Sequence, residues 1–218
     1  MMYSSGIFYQ PDDTMEQAST NKLERICTRL NLKPEDQVIE IGTGWGGFAM
    51  YAAKHYGCHV TTTTISEEQY AYAQQQIDNA GLSNKITLLK QDYRELTGQY
   101  DKLVSIEMIE AVGHQYFDTF FSKCSALLKD DGEMLIQAIT ISDQRFNSAK
   151  KDVDFIKRYI FPGSCIPSIN AISHTLTKSS DLRMTNMDDF GMHYARTLNE
   201  WHKSFKNNIQ AVKAQGFS

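Results

Sequence analysis

A short apolar run is joined to a glycine-rich turn in the stretch Val38-Ile39-Glu40-Ile41-Gly42-Thr43-Gly44-Trp45-Gly46-Gly47, which is the strongest indication of the fold in this chain. The apolar run has the length of a buried strand. Gly42, Gly44 and Gly47 match the pattern GxGxxG, in which the missing side chains allow a sharp turn and a close approach of the backbone to a ligand. Residues 48–55 follow as a helical stretch. The sequence therefore predicts a strand, a tight ligand-binding turn and a helix.

The alternation of strands and helices continues on both sides of this stretch. Further strands are predicted over residues 59–63, 86–90, 101–107 and 133–141, and helices over 15–30, 66–79 and 116–128. The turn Lys129-Asp130-Asp131-Gly132 precedes the last of these strands. Elements of these lengths in this order imply an α/β fold of the Rossmann-like type, with a mostly parallel sheet and helices on both faces.

The alternation breaks over residues 142–180, a segment rich in aromatic side chains. It contains Phe146, Phe155, Tyr159 and Phe161, followed by Pro162. We expect a helical cap over the carboxyl ends of the strands, where doubly wound sheets bind ligands. The aromatic residues would either line a substrate or fill the core. Beyond the cap, the pattern predicts a strand over 182–190 and a helix over 198–212.

Length and composition are typical of a single globular domain spanning residues 1–218. The net charge of −4 provides no broad basic surface, so nucleic acid is not an expected partner and lipid recognition would be local. The four cysteines are far apart and no histidine has zinc-finger spacing, so we predict reduced buried thiols and no metal site. With no targeting signal or apolar run of about 18 residues, a cytoplasmic protein is expected.

Two positions near the glycine turn distinguish between nucleotide cofactors. Glu40 ends a strand where a dinucleotide fold usually carries apolar residues, and its carboxylate suits a cationic ligand. A dinucleotide fold also has an acidic residue about 20 positions further on for the ribose hydroxyls, whereas the second strand here ends in four threonines, residues 61–64. These features favour S-adenosylmethionine over NAD. A nicotinamide-dependent oxidoreductase, a non-catalytic binding domain and a turn without ligand are the alternatives.

Five segments of the chain carry a recognisable pattern: Tyr3-Ser4-Ser5-Gly6-Ile7-Phe8, residues 40–47, Thr64-Ile65-Ser66-Glu67-Glu68-Gln69, Gln91-Asp92-Tyr93-Arg94 and Tyr159-Ile160-Phe161-Pro162-Gly163. In this order they resemble signatures of the cyclopropane fatty acid and mycolic acid cyclopropane synthases, a family of S-adenosylmethionine-dependent methyltransferases. The match covers nearly all of the chain. The resemblance implies a class I methyltransferase catalytic domain, and a fragment that lacks an N-terminal domain and the final C-terminal strand.

The resemblance also implies the contacts of the cofactor. Tyr3 and Ser4 would lie beside its methionine portion, with the loop of residues 38–46 beneath it. This loop contributes Glu40, Gly42, Gly44 and Gly46, while Thr64 and Gln69 would contact the ribose, and Asp92, Tyr93, Arg94 and Ile106 would border the adenine. For Gln69 there is a second interpretation, since Ser66-x-x-Gln69 is also a capping box. The two roles need not exclude each other.

The reaction implied by the resemblance is attack of the double bond of an unsaturated phospholipid on the sulfonium methyl group, followed by proton loss and ring closure. Bound bicarbonate would act as the base, held by Glu110, Tyr194, Ser5, Gln137 and the backbone of Ile139. Glu110 would otherwise cap the next helix, and Tyr194 would otherwise be a core residue. In the full-length protein, peripheral contact with the inner membrane face is expected.

Three positions depart from the family pattern. Ser5 stands where the family often has cysteine, and Ala111 and Gln137 stand where it often has histidine. Serine and glutamine still donate hydrogen bonds to an oxyanion, whereas alanine removes a ring. The alternative function is therefore methylation of a lipid or small molecule without ring closure.

Overall fold

The computed structural model describes residues 2–217 and divides them into two compact units. The first unit contains Met2 and Ile26–Thr185, and the second contains Tyr3–Arg25 together with residues 186–217. Among the described residues, no helix is both long and apolar enough to cross a membrane.

The first unit is built on a five-stranded parallel sheet. Its strands are β1 (Gln37–Ile41), β2 (His59–Thr64), β3 (Ile86–Lys90), β4 (Tyr100–Ile106) and β5 (Leu128–Gln137), in the order β3-β2-β1-β4-β5. Strands β2 and β3 extend the sheet on one side of β1, and the chain then crosses to the other side of β1, where β4 and β5 lie. This order places a crevice at the carboxyl ends of β1 and β4, where open α/β sheets bind their ligands. The predicted Rossmann-like fold is confirmed.

Nine α-helices are found in the described residues. They are α1 (Met15–Arg29), α2 (Gly47–Tyr56), α3 (Glu67–Asn79), α4 (Ile109–Val112), α5 (Phe117–Leu127), α6 (Asp143–Ala149), α7 (Ile169–Ser179), α8 (Gly191–Asn207) and α9 (Ile209–Ala214). Ser66 begins α3 by accepting a hydrogen bond from the backbone of Gln69, as an N-cap serine does. Gly57 ends α2 in the left-handed conformation that glycine adopts readily.

The core of the first unit lies between the sheet and the helices α5 and α7. Buried Ile39 and Leu103 of the sheet belong to the same apolar cluster as Phe120 of α5 and Ile172 of α7. Helix α7 therefore packs beside α5, so this part of the 142–180 segment contributes to the helical layer. The aromatic residues between α6 and α7 are exposed instead of filling the core.

Three sequence predictions differ from the structure in the second half of the chain. Strand β5 was expected over 133–141 but occupies Leu128–Gln137, because Leu128 already pairs with Tyr100. Residues 129–132 thus form an irregularity within the strand, and pairing resumes at Glu133 opposite Lys102. The strand predicted over 182–190 is wrong, since these residues have no strand partner in the described chain. The helix predicted from 198 begins at Gly191.

In the second unit, residues 6–13 pack against α8 and form hydrogen bonds with it. The Thr197 hydroxyl accepts a hydrogen bond from the Gly6 backbone at 3.1 Å, and His193 Nδ1 accepts one from the Phe8 backbone at 3.1 Å. The Arg196 guanidinium donates to the carbonyls of Gln10, Pro11 and Asp13. It also lies 4.0 Å from the centre of the Phe8 ring. Several anchors thus hold residues 6–13 against one helix.

The four cysteines, Cys27, Cys58, Cys124 and Cys165, are buried, as the sequence predicts, and form no disulfide with one another. Burial raises the pKa of the Cys58 thiol to about 11. A thiol with so high a pKa carries little thiolate at neutral pH and is a poor nucleophile. The cysteines are therefore packing residues.

Candidate active site

The glycine turn between β1 and α2 requires its glycines. Gly42, Gly44 and Gly46 have φ angles of 96°, 53° and 84°, in the left-handed region that favours glycine. A Cβ atom at Gly42 would lie 3.2 Å from Met108 Cγ, whereas one at Gly44 would meet nothing within 4 Å. The turn therefore packs closely on one side and leaves space in front of Gly44, as a backbone that receives a ligand does.

Glu40 is buried at the end of β1, with 2% of its surface exposed. Its Oε2 accepts a hydrogen bond from the Thr62 hydroxyl of β2 at 2.6 Å. Burial raises the pKa of the Glu40 carboxyl to about 8, although the bond from Thr62 acts in the opposite direction. The carboxyl is consequently mostly protonated at neutral pH, and a cation placed beside it would favour its ionised form.

Thr43 is a residue of the turn that the sequence did not single out. The backbone N–H of Thr43 donates a hydrogen bond to the Thr63 carbonyl at 2.9 Å, and the Thr43 carbonyl accepts one from the Gly46 backbone at 2.9 Å. The Thr43 Oγ1 atom is buried, with no hydrogen-bond partner among the described residues. Buried polar atoms normally have partners, so this hydroxyl is a candidate ligand-binding group.

Thr64 is the last residue of β2, and its side chain lies against that of Gln69 in α3. The Thr64 hydroxyl donates to Gln69 Oε1 at 2.8 Å and accepts from the Ser66 backbone at 3.1 Å. The Ser66 hydroxyl caps α3, but the reciprocal bond of a capping box is made by Thr64 in place of Gln69. The Gln69 side chain is thus directed to the end of β2, where the ribose contact is predicted.

Asp92 caps a short 3₁₀ turn, Tyr93–Glu95, that follows β3. The carboxylate of Asp92 accepts two hydrogen bonds from the Arg94 guanidinium, at 2.9 and 2.6 Å, and these lower its pKa. The Tyr93 ring meets Phe120 edge to face at 5.6 Å between centroids. Ile106 is half-buried at the end of β4. Asp92, Tyr93 and Arg94 follow β3, whereas Ile106 lies in β4, and these strands are separated by β2 and β1, so their shared contact with an adenine stays a prediction.

Glu110 lies in α4, directly after β4, and is linked to the chain that follows β5. Its Oε1 accepts a hydrogen bond from the Ile139 backbone at 2.5 Å. Its Oε2 is buried without a hydrogen-bond partner among residues 2–217. Burial raises the pKa of the Glu110 carboxyl to about 7, although its own backbone and that of Ile139 oppose this effect. Glu110 therefore presents an oxygen that can hold or release a proton near neutral pH.

Glu107 and Gln137 join the ends of β4 and β5 beside Glu110. Gln137 Nε2 donates to Glu107 Oε1 at 2.8 Å, and the Glu107 backbone donates to the Gln137 carbonyl at 2.7 Å. Glu107 has a φ angle of 48°, which is uncommon for a residue other than glycine. Its carboxylate also contributes to the raised pKa of Glu110. The sequence did not identify Glu107, because its signal is a backbone conformation.

The remaining predicted residues lie in the second unit. The Ser4 hydroxyl accepts a hydrogen bond from the buried Lys22 ammonium at 2.5 Å, and Tyr3 is 54% exposed. Ser5 is buried and donates to the Gly6 carbonyl at 3.2 Å. Tyr194 meets Trp201 edge to face at 6.5 Å. The grouping of Ser5 and Tyr194 with Glu110, Gln137 and Ile139 stays a prediction.

Comparison with known proteins identifies the family. The family model described as mycolic acid cyclopropane synthetase matches residues 1–217. The chain belongs to this family. Its five-stranded parallel sheet matches the class I methyltransferase fold, as in the crystal structure of the mycolic acid cyclopropane synthase CmaA1 complexed with SAH and CTAB. That structure has a TM-score of 0.90 and 28% identity, covering 98% of this chain and 78% of CmaA1.

Two curated relatives show the range of activities among similar proteins. The cyclopropane-fatty-acyl-phospholipid synthase of Escherichia coli (strain K12) is 38% identical over 208 residues, which cover 94% of this chain and 51% of the relative. A probable fatty acid methyltransferase of Pseudomonas putida is 32% identical over 217 residues, covering 98% and 55%. The chain spans about half the length of these relatives.

Proposed function

We propose that this chain is the catalytic core of an S-adenosylmethionine-dependent enzyme that methylates the double bond of an unsaturated acyl chain in a phospholipid and closes a cyclopropane ring. The observation that carries this proposal is the buried, unpartnered oxygen of Glu110 at the carboxyl edge of a class I methyltransferase sheet. Ring closure requires loss of a proton from a carbocation, and Glu110 provides a proton-holding group in a water-poor position. The similarity to the phospholipid synthase supports this acceptor.

The cofactor side of the site fits S-adenosylmethionine. The glycine turn leaves open space at Gly44, and the hydroxyl of Thr43 is buried without a partner in the described chain. Glu40 provides a carboxyl that becomes ionised beside a cation, while Thr64 and Gln69 offer polar groups for a ribose. When bound, the cofactor supplies an electrophilic methyl group, so the protein has chiefly to position it.

Bicarbonate fits this site through a shared proton. The Ile139 N–H and the Gln137 amide already donate to the carboxylates of Glu110 and Glu107. An ionised glutamate would repel an anion, but the pKa of Glu110 is about 7 because of burial, so its protonated form is well populated at neutral pH. In that form, Oε2 can donate to the anion. Gln137 would add its second N–H.

The test of this proposal uses the full-length protein, vesicles of unsaturated phospholipid and methyl-labelled S-adenosylmethionine. We expect label in the acyl chains, each modified chain becoming heavier by one methylene group. Ring protons in the NMR spectrum of the product would support ring closure. If vesicle lipids remain unlabelled while the protein still binds S-adenosylhomocysteine, the lipid acceptor is wrong.

A second candidate function is methylation of a lipid without ring closure. It is favoured by Ala111, which removes the histidine that the family often has after Glu110, and by the hydrogen bond that holds Gln137 on Glu107. Similarity to the probable fatty acid methyltransferase agrees with it. In this case the NMR spectrum of the labelled lipid would show a methyl branch or an exocyclic methylene group and no ring protons.

A further inference from the structure

The segment between α6 and α7 exposes a dense group of large apolar side chains. They are Val153 (72% exposed), Phe155 (65%), Ile156 (48%), Tyr159 (64%), Ile160 (50%) and Phe161 (53%). Isolated exposed apolar residues are common on protein surfaces, whereas six within nine positions form a patch of the kind that marks a binding surface. We refer to residues 153–161 as the aromatic surface.

Local hydrogen bonds give the aromatic surface a defined shape. Residues Ile156–Ile160 form a π-helical turn, and the Asp154 carboxylate accepts a hydrogen bond from the Lys157 backbone at 2.8 Å. The Lys157 ammonium donates back to the carbonyls of Asp152 and Ala149. These bonds tie the turn to the end of α6. The apolar side chains are therefore exposed by a folded turn.

Positive charge borders the aromatic surface. Lys151 and Arg158 are exposed and Lys150 is half-buried, and none of the three forms an ion pair with another described residue. The Arg158 guanidinium lies 5.5 Å from the centre of the Tyr159 ring. Basic residues beside exposed aromatic and aliphatic side chains are the composition of surfaces that lie on membranes. Residues 150–158 carry four basic side chains against two acidic ones, Asp152 and Asp154, which is a local excess of positive charge in a chain whose net charge is −4.

The chain that follows the aromatic surface contacts helix α4, which carries Glu110. Shortly after this surface, the Cys165 backbone donates a hydrogen bond to the Glu110 carbonyl at 2.8 Å. The Gly163 carbonyl lies so close to Gly113 that a Cβ atom there would be 3.1 Å from it. The end of α4, which carries Glu110, therefore directly contacts the chain that leaves the aromatic surface.

We propose that the aromatic surface docks on a bilayer containing anionic lipids, inserting its apolar side chains among the acyl chains while Lys150, Lys151 and Arg158 contact the headgroups. In a symmetric dimer the basic border would face its own copy and be repelled, so the charge of the border favours an anionic bilayer over a second copy of this chain. The proposal rests on the proposed function in one respect: a lipid acceptor explains why such a surface adjoins Glu110. Vesicle binding itself requires neither cofactor nor turnover.

The test measures binding of the full-length protein to vesicles by sedimentation. Neutral phosphatidylcholine vesicles are compared with vesicles that contain phosphatidylglycerol, without cofactor. The first variant combines Phe155→Ser with Tyr159→Ser, and the second combines Lys151→Glu with Arg158→Glu. The matched controls are Phe205→Ser and Lys206→Glu on α8, where Phe205 is 53% exposed. All four variants change exposed side chains, and circular dichroism verifies their folding.

We expect the wild-type protein to bind anionic vesicles and both double variants to bind them at least about ten-fold more weakly, since one basic residue contributes about a five-fold change. Salt should weaken the wild-type interaction, and the controls should bind as the wild type does. Equal binding by all proteins would overturn the proposal. So would a double variant that loses self-association in solution while its vesicle binding is unchanged.

Failure of this proposal can be distinguished from failure of the proposed function. On acyl substrate dispersed in detergent, the variant that combines Lys151→Glu with Arg158→Glu should retain wild-type turnover, because the bilayer contact is bypassed. Vesicle binding that depends on the aromatic surface without any lipid methylation would refute the proposed function alone. Lipid methylation on vesicles that is equal in all variants would refute the docking surface alone.

Discussion

Replacing Glu40 by glutamine tests the electrostatics of the candidate cofactor site through protein stability. The Glu40 carboxyl is fully buried, and burial raises its pKa from 4.5 to about 8. Its folded-state pKa thus lies above its unfolded-state value. Between these two pH values the unfolded chain loses the proton that the folded chain retains, so the free energy of unfolding falls as the pH rises. Below about pH 4.5 this penalty is absent.

The size of the effect follows from the two pKa values. The difference between 4.5 and about 8 corresponds to at most about 5 kcal/mol of unfolding free energy, fully lost above about pH 8. In Glu40→Gln the amide oxygen can still accept the hydrogen bond from Thr62, and the residue does not ionise. The variant without cofactor should therefore be less sensitive to alkaline pH than the wild type, although its affinity for cofactor should fall.

Urea unfolding at about pH 5 and about pH 9 measures this difference, with Glu35→Gln as a control at an exposed glutamate. We expect the wild type and the control to lose several kcal/mol more than Glu40→Gln between these conditions. If all three proteins lose the same free energy, the buried carboxyl is not responsible and the reasoning is wrong.

Three further changes probe the site. Glu110→Gln should reduce turnover by about 100-fold or more and remove a pH dependence near 7 while leaving the calorimetric affinity for S-adenosylhomocysteine unchanged; a loss of affinity would place Glu110 elsewhere. Gly42→Ala should lower stability in urea by about 1–3 kcal/mol, because its φ of 96° is strained for alanine and Met108 is close; an unchanged midpoint would contradict the turn geometry. Thr43→Val, which removes an unpartnered hydroxyl, should leave the stability without cofactor equal or higher and weaken cofactor binding; unchanged affinity would exclude a contact.

The first half of the sheet could be predicted because its signals are local. Apolar β1 residues, the glycine turn and the serine cap of α3 each specify their element within a few positions. The irregularity at 129–132 and the absence of a strand over 182–190 depend on partners instead. Lys129-Asp130-Asp131-Gly132 has the composition of a turn, but pairing of Leu128 with Tyr100 extends the strand across it.

The candidate site was predictable to the extent that parallel strands bring their carboxyl ends together. Glu110 follows β4, and Gln137 and Ile139 lie at the end of β5 and just beyond it, so their proximity follows from the strand order. Thr43 and Glu107 were missed for a physical reason. An unpartnered hydroxyl and a left-handed backbone become visible only when burial and φ angles are known.

The most direct measurement of the proposed function is a competition for the methyl group. The full-length protein is given methyl-labelled S-adenosylmethionine together with equal concentrations of unsaturated phospholipid, as vesicles, and a small secondary amine. The proposed function predicts that the label is recovered in the acyl chains, with ring protons in the isolated product. Label recovered in the amine, with the phospholipid unchanged, would contradict it.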